Sequence, residues 1–287
     1  MTIQGEPGVQ FDCESLCLWA ARDNTIRDIE MLGGTVGVSG AHSLDLQNLT
    51  ISNMNNGVFF RVIEPGEVAA VNVSNVVVRD SAIGMVFGSA ADATTLHIKV
   101  EDCVFENNPD GLIIDGGLFQ ANGNSTHVQV KGSRFSQFNT GLALRTSLRD
   151  ADGGRMTALV KSNIFEYGQN GIIGFSNLAF GAAGDNNELR INVIDNAFSG
   201  VFFDGLYAGG FTVAPPLLGE SNSLTVNFAR NAFTGLVFGT DNLTFGTAIP
   251  GSNRVTYTGS GVALDASSVT PPVNIGSIDP EVFVSGH

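Results

Sequence analysis

The chain has 287 residues, 43% of them hydrophobic and 15% charged, with 36 glycines and a positive mean hydropathy; that is ample material for a folded core and rules out a disordered chain. A formal net charge of -14, from 28 acidic against 14 basic residues, opposes a sequence-independent grip on nucleic-acid phosphates or anionic lipid, so no nucleic-acid partner is expected. No run of about 18 apolar residues is present, so no membrane insertion is expected. The opening MTIQGEPGVQ lacks the basic and apolar regions of a leader peptide, so the expectation is either a cytoplasmic protein or one whose leader has been removed.

The first predicted strand is centred on Phe11, and its apolar position recurs down the chain at Met31, Ile51, Val78, Phe105, Phe135, Phe165, Phe198, Phe233 and Val262. Six residues after this anchor stands a glycine in most copies, at Gly37, Gly57, Gly84, Gly111, Gly141 and Gly171, with Cys17 in the first. Seven and five residues before it run paired apolar positions, Leu44/Leu46, Val71/Val73, Ile98/Val100, Val128/Val130, Ala158/Val160, Ile191/Val193, Val226/Phe228 and Val255/Tyr257. The alternation has period two, so each copy contains short strands. Asn48, Asn75, Asp102, Gly132, Ser162 or Asp195 falls between these strands and the anchor, a turn-forming residue where the chain bends. A unit of this size cannot bury its own apolar face, whereas stacked copies can, which predicts a β-solenoid. The glycine is expected to permit the turn into the following strand.

Cys13 and Cys17 lie four residues apart, with Cys103 on its own. A small local disulfide with one buried thiol suits an extracellular chain; the preferred expectation is three small core residues.

The units NLTISNMNNGVFF, DCVFENNPDGLII and SNIFEYGQNGIIG resemble coils of the pectate-lyase-like superfamily of right-handed parallel β-helix proteins. The resemblance covers roughly residues 2 to 265. It implies an all-β fold, a single-stranded right-handed parallel β-helix of about ten coils with three sheets and long loops on one side. The helix is expected over residues 1–265, with residues 266–287, which leave the repeat, as a C-terminal cap or tail. Familiar members of the superfamily are polysaccharide lyases, glycoside hydrolases, epimerases, phage tailspikes and adhesins. The resemblance therefore points to an extracellular or cell-surface protein that acts on or binds polysaccharide or a cell-surface glycan; fold alone does not choose among these roles.

Candidate site residues come from outward-facing positions. Two residues after the glycine, Trp19, Ser39, Phe59, Val86, Ile113, Ala143 and Ile173 make an apolar strip. Loop residues Leu118, Phe119, Leu178, Phe180, Phe211, Leu217 and Leu218 are expected to cover it, since an exposed strip of that kind would mark a partner interface. Four residues after the glycine the column reads Ala41, Arg61, Gly88, Asp115, Arg145 and Phe175. Asp115 and Arg145 fall on adjacent coils and are the candidate catalytic pair. The loop after Arg145 adds Asp150 and Asp152, and carboxylates beside an arginine resemble the calcium-plus-basic-residue arrangement of pectate lyases, making these two the candidate metal ligands. An ordinary cross-coil ion pair is the plainer account of the same residues. Arg61, Glu101, Lys131 and Lys161 are candidate substrate-binding residues, the last three forming one outward column; a solvated sheet face explains such a column equally. NNPDG, residues 107–111, resembles the N-T-D motif of polygalacturonase-like hydrolases but departs at the threonine, so only Asp110 carries over. The four histidines, His42, His97, His127 and His287, are not expected to share a column. No organic cofactor is expected, since no dinucleotide or phosphate-loop fingerprint appears. The alternative reading is a non-catalytic structural or adhesive β-helix, self-assembling as a homo-oligomer through its N-terminal edge or binding a partner through the apolar strip.

Overall fold

The computed structural model describes residues 1–6, 9–20, 23–117, 121–146, 151–175, 184–201, 204–209, 223–234, 243–245 and 254–260. Their strands fall into three sheets in which every neighbouring pair is parallel. Sheet A has ten strands, from Thr2–Gln4 to Arg254–Ser260; sheet B has nine, from Gln10–Asp12 to Ala232–Thr234; sheet C has nine, from Leu16–Ala20 to Leu243–Phe245. The chain visits A, B and C in turn and then pairs with itself one coil on, which makes a parallel β-helix. Among the described residues no helix is long and apolar enough to cross a membrane. Residues 266–287, Val262 and the loop residues Leu118, Phe119, Leu178, Phe180, Phe211, Leu217 and Leu218 lie outside the described residues.

The anchor column is the spine of sheet B. Phe11, Met31, Ile51, Val78, Phe105, Phe135, Phe165, Phe198 and Phe233 pair in unbroken register. Because equal offsets place equal side chains one strand spacing apart, about 4.8 Å, aromatic anchors are forced to stack. Phe105, Phe135, Phe165 and Phe198 do so, with successive centroids 4.7, 4.8 and 4.9 Å apart and ring planes within 7° of parallel. Each of the four is essentially buried. The apolar pairs that precede the anchors form the inner rows of sheet A, Leu44 beside Val71 and Leu46 beside Val73, and so on down to Ile191 beside Val226.

The corners are made by single left-handed residues. Between sheets A and B these are Asp28, Asn48, Asn75, Asp102, Gly132, Ser162, Asp195 and Arg230, and between B and C they include Asn53, Asp80, Asn107, Gln137 and Tyr167; φ at these non-glycine positions is 52–59°. The polar residue before each anchor is thus the bend that was expected. The glycine six residues after the anchor has a different role from the one inferred. Gly37, Gly57, Gly84, Gly111 and Gly141 have no left-handed φ; they start sheet C strands where coils touch. A Cβ on Gly111 would lie 2.5 Å from the Gly141 carbonyl oxygen and 2.9 Å from the Phe135 ring, and one on Gly141 would lie 2.7 Å from the Gly171 oxygen and 2.8 Å from the Phe165 ring. Glycine is required there because the backbone of the next coil and the phenylalanine stack occupy the space of a side chain.

Buried amides satisfy the interior of the A–B corner. Asn163 Oδ1 accepts from the Ser133 amide, Asn196 Oδ1 from the Asn163 amide and Asn231 Oδ1 from the Asn196 amide, each at 2.9 Å. Backbone donors that a bend takes out of the sheet are thereby paired inside the apolar core. From Glu30 to Phe198 the A–B links stay at two residues and the B–C links at three, while the C–A links grow from 41–43 through 63–67, 90–94 and 116–124 to 176–187. All the long connections therefore leave from one side. Contrary to the preferred expectation, Cys13 and Cys17 are joined as a disulfide, their Cα atoms 5.2 Å apart; the C-x3-C spacing spans one tight corner before sheet C. Cys103 is free and buried, and burial pushes its thiol up to about 12.

Candidate functional site

Asp115 and Arg145 end adjacent strands of sheet C and are direct register partners. Alternation along Asp110–Asp115 turns Leu112 and Ile114 inward and Ile113 and Asp115 outward, yet Asp115 is only 2% exposed. The two side chains clamp each other through both oxygens. Arg145 Nη2 donates to Asp115 Oδ2 at 3.1 Å, and Arg145 Nε stands 2.5 Å from Oδ1 in an ion contact whose angle is poor for a hydrogen bond. Burial drives the Asp115 carboxyl above its usual range, and the charge and hydrogen bond of Arg145 oppose that rise. Such a pair holds two coils together and occupies both functional groups. Arg61 shares their column, but Gly88 separates it from Asp115; it is exposed and its guanidinium lies 5.8 Å from the centroid of the Phe59 ring. Along the apolar strip, Trp19 is exposed, while Val86 and Ala143 are buried at 8% and 7%.

Of the two candidate metal ligands, Asp150 lies outside the described residues. Asp152 belongs to a corner ladder: Asp92 Oδ1 accepts from the Asn122 amide, Asn122 Oδ1 from the Asp152 amide and Asp152 Oδ1 from the Asp185 amide, at 2.7, 2.8 and 2.7 Å. One carboxylate oxygen of Asp152 is thus committed to the backbone. Asp110 is half-buried, and desolvation holds its carboxyl above the ordinary range against a hydrogen bond from Thr140 and the charge of Arg145.

The outer face of sheet A is open and polar. Glu101, Lys131 and Lys161 form the column that their spacing implies, but the ion pair of Glu101 is with Lys99, two residues away on its own strand, at 2.7 Å. Gln129 Nε2 donates to the same carboxylate at 3.3 Å. Two columns over, His97 and His127 are register partners with rings 4.9 Å apart and 14° from parallel, so two of the four histidines do share a column. Their common offset, eight residues before Phe105 and Phe135, is the signal that reveals the pair. His127 Nδ1 lies 2.9 Å from Thr157 Oγ1. Over the histidine and Lys99–Gln129 columns runs a shallow open groove of about 480 Å³, bordered by Asn72, Lys99, Gln129, Thr157 and Asn192 as well as the two histidines; Glu101, Lys131 and Lys161 stand beside it on the same face. Side chains of this kind, repeated at one strand spacing, offer donors, acceptors and flat ring faces to a long polar ligand.

No family model, curated protein or solved structure matches the chain.

Proposed function

We propose that this protein is an extracellular β-helix of the pectate-lyase-like type that binds an acidic polysaccharide along the outer face of sheet A. The observation that carries this reading is the open groove over His97, Lys99, His127 and Gln129. An extended glycan suits it because both groove and polymer repeat along one axis. All three lysines of the chain, Lys99, Lys131 and Lys161, stand on this face of a protein whose net charge is -14. A local cluster of cations on an acidic protein favours uronate-containing chains over neutral ones and repels polyanions elsewhere. The Cys13–Cys17 disulfide suits an oxidising, extracellular setting. Binding rather than cleavage is the reading favoured by the engagement of Asp115 and Arg145 with each other, which holds the candidate catalytic pair in a buried ion pair. Calcium fits as a bridge between acidic protein and acidic glycan, through Asp152 and the ligand's own carboxylates.

Affinity electrophoresis through gels cast with polygalacturonate, alginate or a neutral glucan, with and without calcium, tests the reading. The acidic polymers should retard the protein, and a His127→Ala, Lys131→Ala double variant should lose most of that retardation without a change in melting temperature. Equal migration in every gel, or release of unsaturated or reducing ends by the parent, overturns it.

A second reading, self-assembly, draws on Thr2–Gln4, Gln10–Asp12 and Leu16–Ala20, the outermost strands at one end of the described sheets, where Phe11, Leu16 and Trp19 are 39%, 44% and 55% exposed. Unpaired parallel edges with apolar side chains are templates for another chain. Light scattering across a concentration series should then show stacked oligomers that dissociate in a Trp19→Lys variant; a concentration-independent monomer removes this reading.

A further inference from the structure

At the C–A corner, two successive coils bring His42, Glu64 and Glu67 together, in a place unrelated to the groove or to the Asp115–Arg145 pair. His42 lies in the 41–43 link after Val36–Gly40, and the two glutamates lie in the 63–67 link after Asn56–Val62. One ligand-type atom from each side chain falls within 4.8 Å of the other two. His42 Nδ1 stands 2.8 Å from Glu67 Oε1, with the two side chains only 22% and 16% exposed.

Three features separate this cluster from an ordinary surface ion pair. First, the other oxygen of Glu67, Oε2, is buried and has no hydrogen-bond partner among the described residues. A carboxylate oxygen removed from water without a donor or cation is unfavourable, so its position calls for an occupant. Second, Glu64 is held beside Glu67 although the two carboxylates repel, and among the described residues neither is paired with a lysine or arginine. Third, the backbone fixes the turn that presents them: the Glu67 amide donates to the Glu64 carbonyl at 3.3 Å, Gly66 takes φ 73°, and the Glu67 carbonyl accepts from the Thr95 amide at 2.8 Å. The backbone that carries the ligands is therefore fixed before any ion arrives.

We infer that His42, Glu64 and Glu67 form a binding site for a first-row divalent transition-metal ion, with zinc the best fit. An imidazole nitrogen with two carboxylates suits zinc, whereas calcium takes oxygen ligands only. Bonds of about 2.0–2.2 Å place tetrahedral ligand atoms about 3.3–3.6 Å apart. The His42–Glu67 contact at 2.8 Å has to open slightly and the exposed Glu64 has to swing in, both side-chain rotations on a fixed backbone. The ion displaces the proton between His42 and Glu67 and satisfies the buried oxygen. Three protein ligands leave a fourth position on the solvent side, beside Glu64, for water or an incoming carboxylate. The ion thereby ties the 41–43 link to the 63–67 link, one coil on.

The test is titration of the chelator-stripped full chain with zinc, followed by calorimetry and by the visible absorption of the cobalt(II) form. The parent should bind one zinc per chain at this site, and His42→Ala and Glu64→Gln should each weaken it at least about tenfold, while a His97→Ala, His127→Ala variant keeps it. Glu64 is exposed, so Glu64→Gln should keep the parent far-ultraviolet circular dichroism and test the site in a folded chain. Absence of a zinc-binding event, binding unchanged in Glu64→Gln, loss of binding in the His97/His127 variant instead, or a preference for calcium over zinc would each overturn the assignment.

Discussion

Phe135→Ala perturbs the centre of the phenylalanine stack. The ring is 0% exposed and lies between Phe105 at 4.7 Å and Phe165 at 4.8 Å. Truncating a buried phenylalanine costs about 3–5 kcal/mol, and each stacked neighbour adds about 0.5–1.5 kcal/mol beyond buried area; two neighbours place the expected loss near the top of the first range. Urea unfolding followed by far-ultraviolet circular dichroism measures it, with Ile164→Ala as comparator, since Ile164 belongs to the same sheet and is 44% exposed. The comparator should lose less than about 1 kcal/mol. Gly111→Ala should cost about 1–3 kcal/mol by overpacking. Combined with Phe135→Ala it should cost less than on its own, because the ring contact at 2.9 Å is gone, but not nothing, because the Gly141 oxygen at 2.5 Å remains. Losses in Phe135→Ala below about 1.5 kcal/mol, or additivity in the Gly111 pair, would falsify the account of an interior stack that dictates the glycine column.

The remaining predictions concern buried charge and the thiol. Arg145→Ala leaves a buried carboxylate unpaired and should destabilise by about 3–5 kcal/mol, while replacing the pair together by Asp115→Leu, Arg145→Met should recover most of it; an unchanged melting temperature in Arg145→Ala would instead favour a catalytic arginine. Asp110 is held above its usual value of 3.8 by desolvation, so its folded form binds the proton more tightly than the unfolded chain does. Its contribution is therefore fully present below pH 3.8 and is lost as pH rises through the raised value. Asp110→Asn should flatten the fall in unfolding midpoint across that mildly acidic window, and an unaltered slope counts against it. Cys103, 1% exposed with its thiol pushed up to about 12, should resist iodoacetamide at pH 8 in the folded protein and take up one equivalent after unfolding without reductant; three equivalents would contradict the Cys13–Cys17 bond.

The residues show unevenly which of these features a sequence can reveal. The anchor column was legible because a fixed offset in a parallel stack is a fixed place in space, so Phe105, Phe135 and Phe165 had no alternative to stacking. The role of the glycines was not legible: a recurring glycine shows that a side chain is refused, and the refusal here comes from a neighbouring carbonyl and ring, not from φ. The left-handed φ belongs mostly to asparagines and aspartates, with Gly132, Gln137, Ser162, Tyr167 and Arg230 at other corners. Asp115 and Arg145 were readable as neighbours, because register is periodic. Their burial was not, because cover over an outward residue depends on segments outside the period. The His97–His127 pair is within reach of the same offset counting, because each stands eight residues before its anchor phenylalanine. His42, Glu64 and Glu67 lie in links whose length changes from coil to coil, where no offset applies.

The confinement of length variation to the C–A links has a consequence for engineering. A foreign peptide grafted into the 116–124 or 146–154 link would leave the two-residue and three-residue corners untouched, so the strand register on either side would have no reason to slip. Each doubling of a flexible insert costs only about 0.6 kcal/mol in closure entropy. Several grafts at successive coils would emerge in a row at one strand spacing, so the molecule could serve as a ruler, displaying multivalent epitopes in steps of about 4.8 Å.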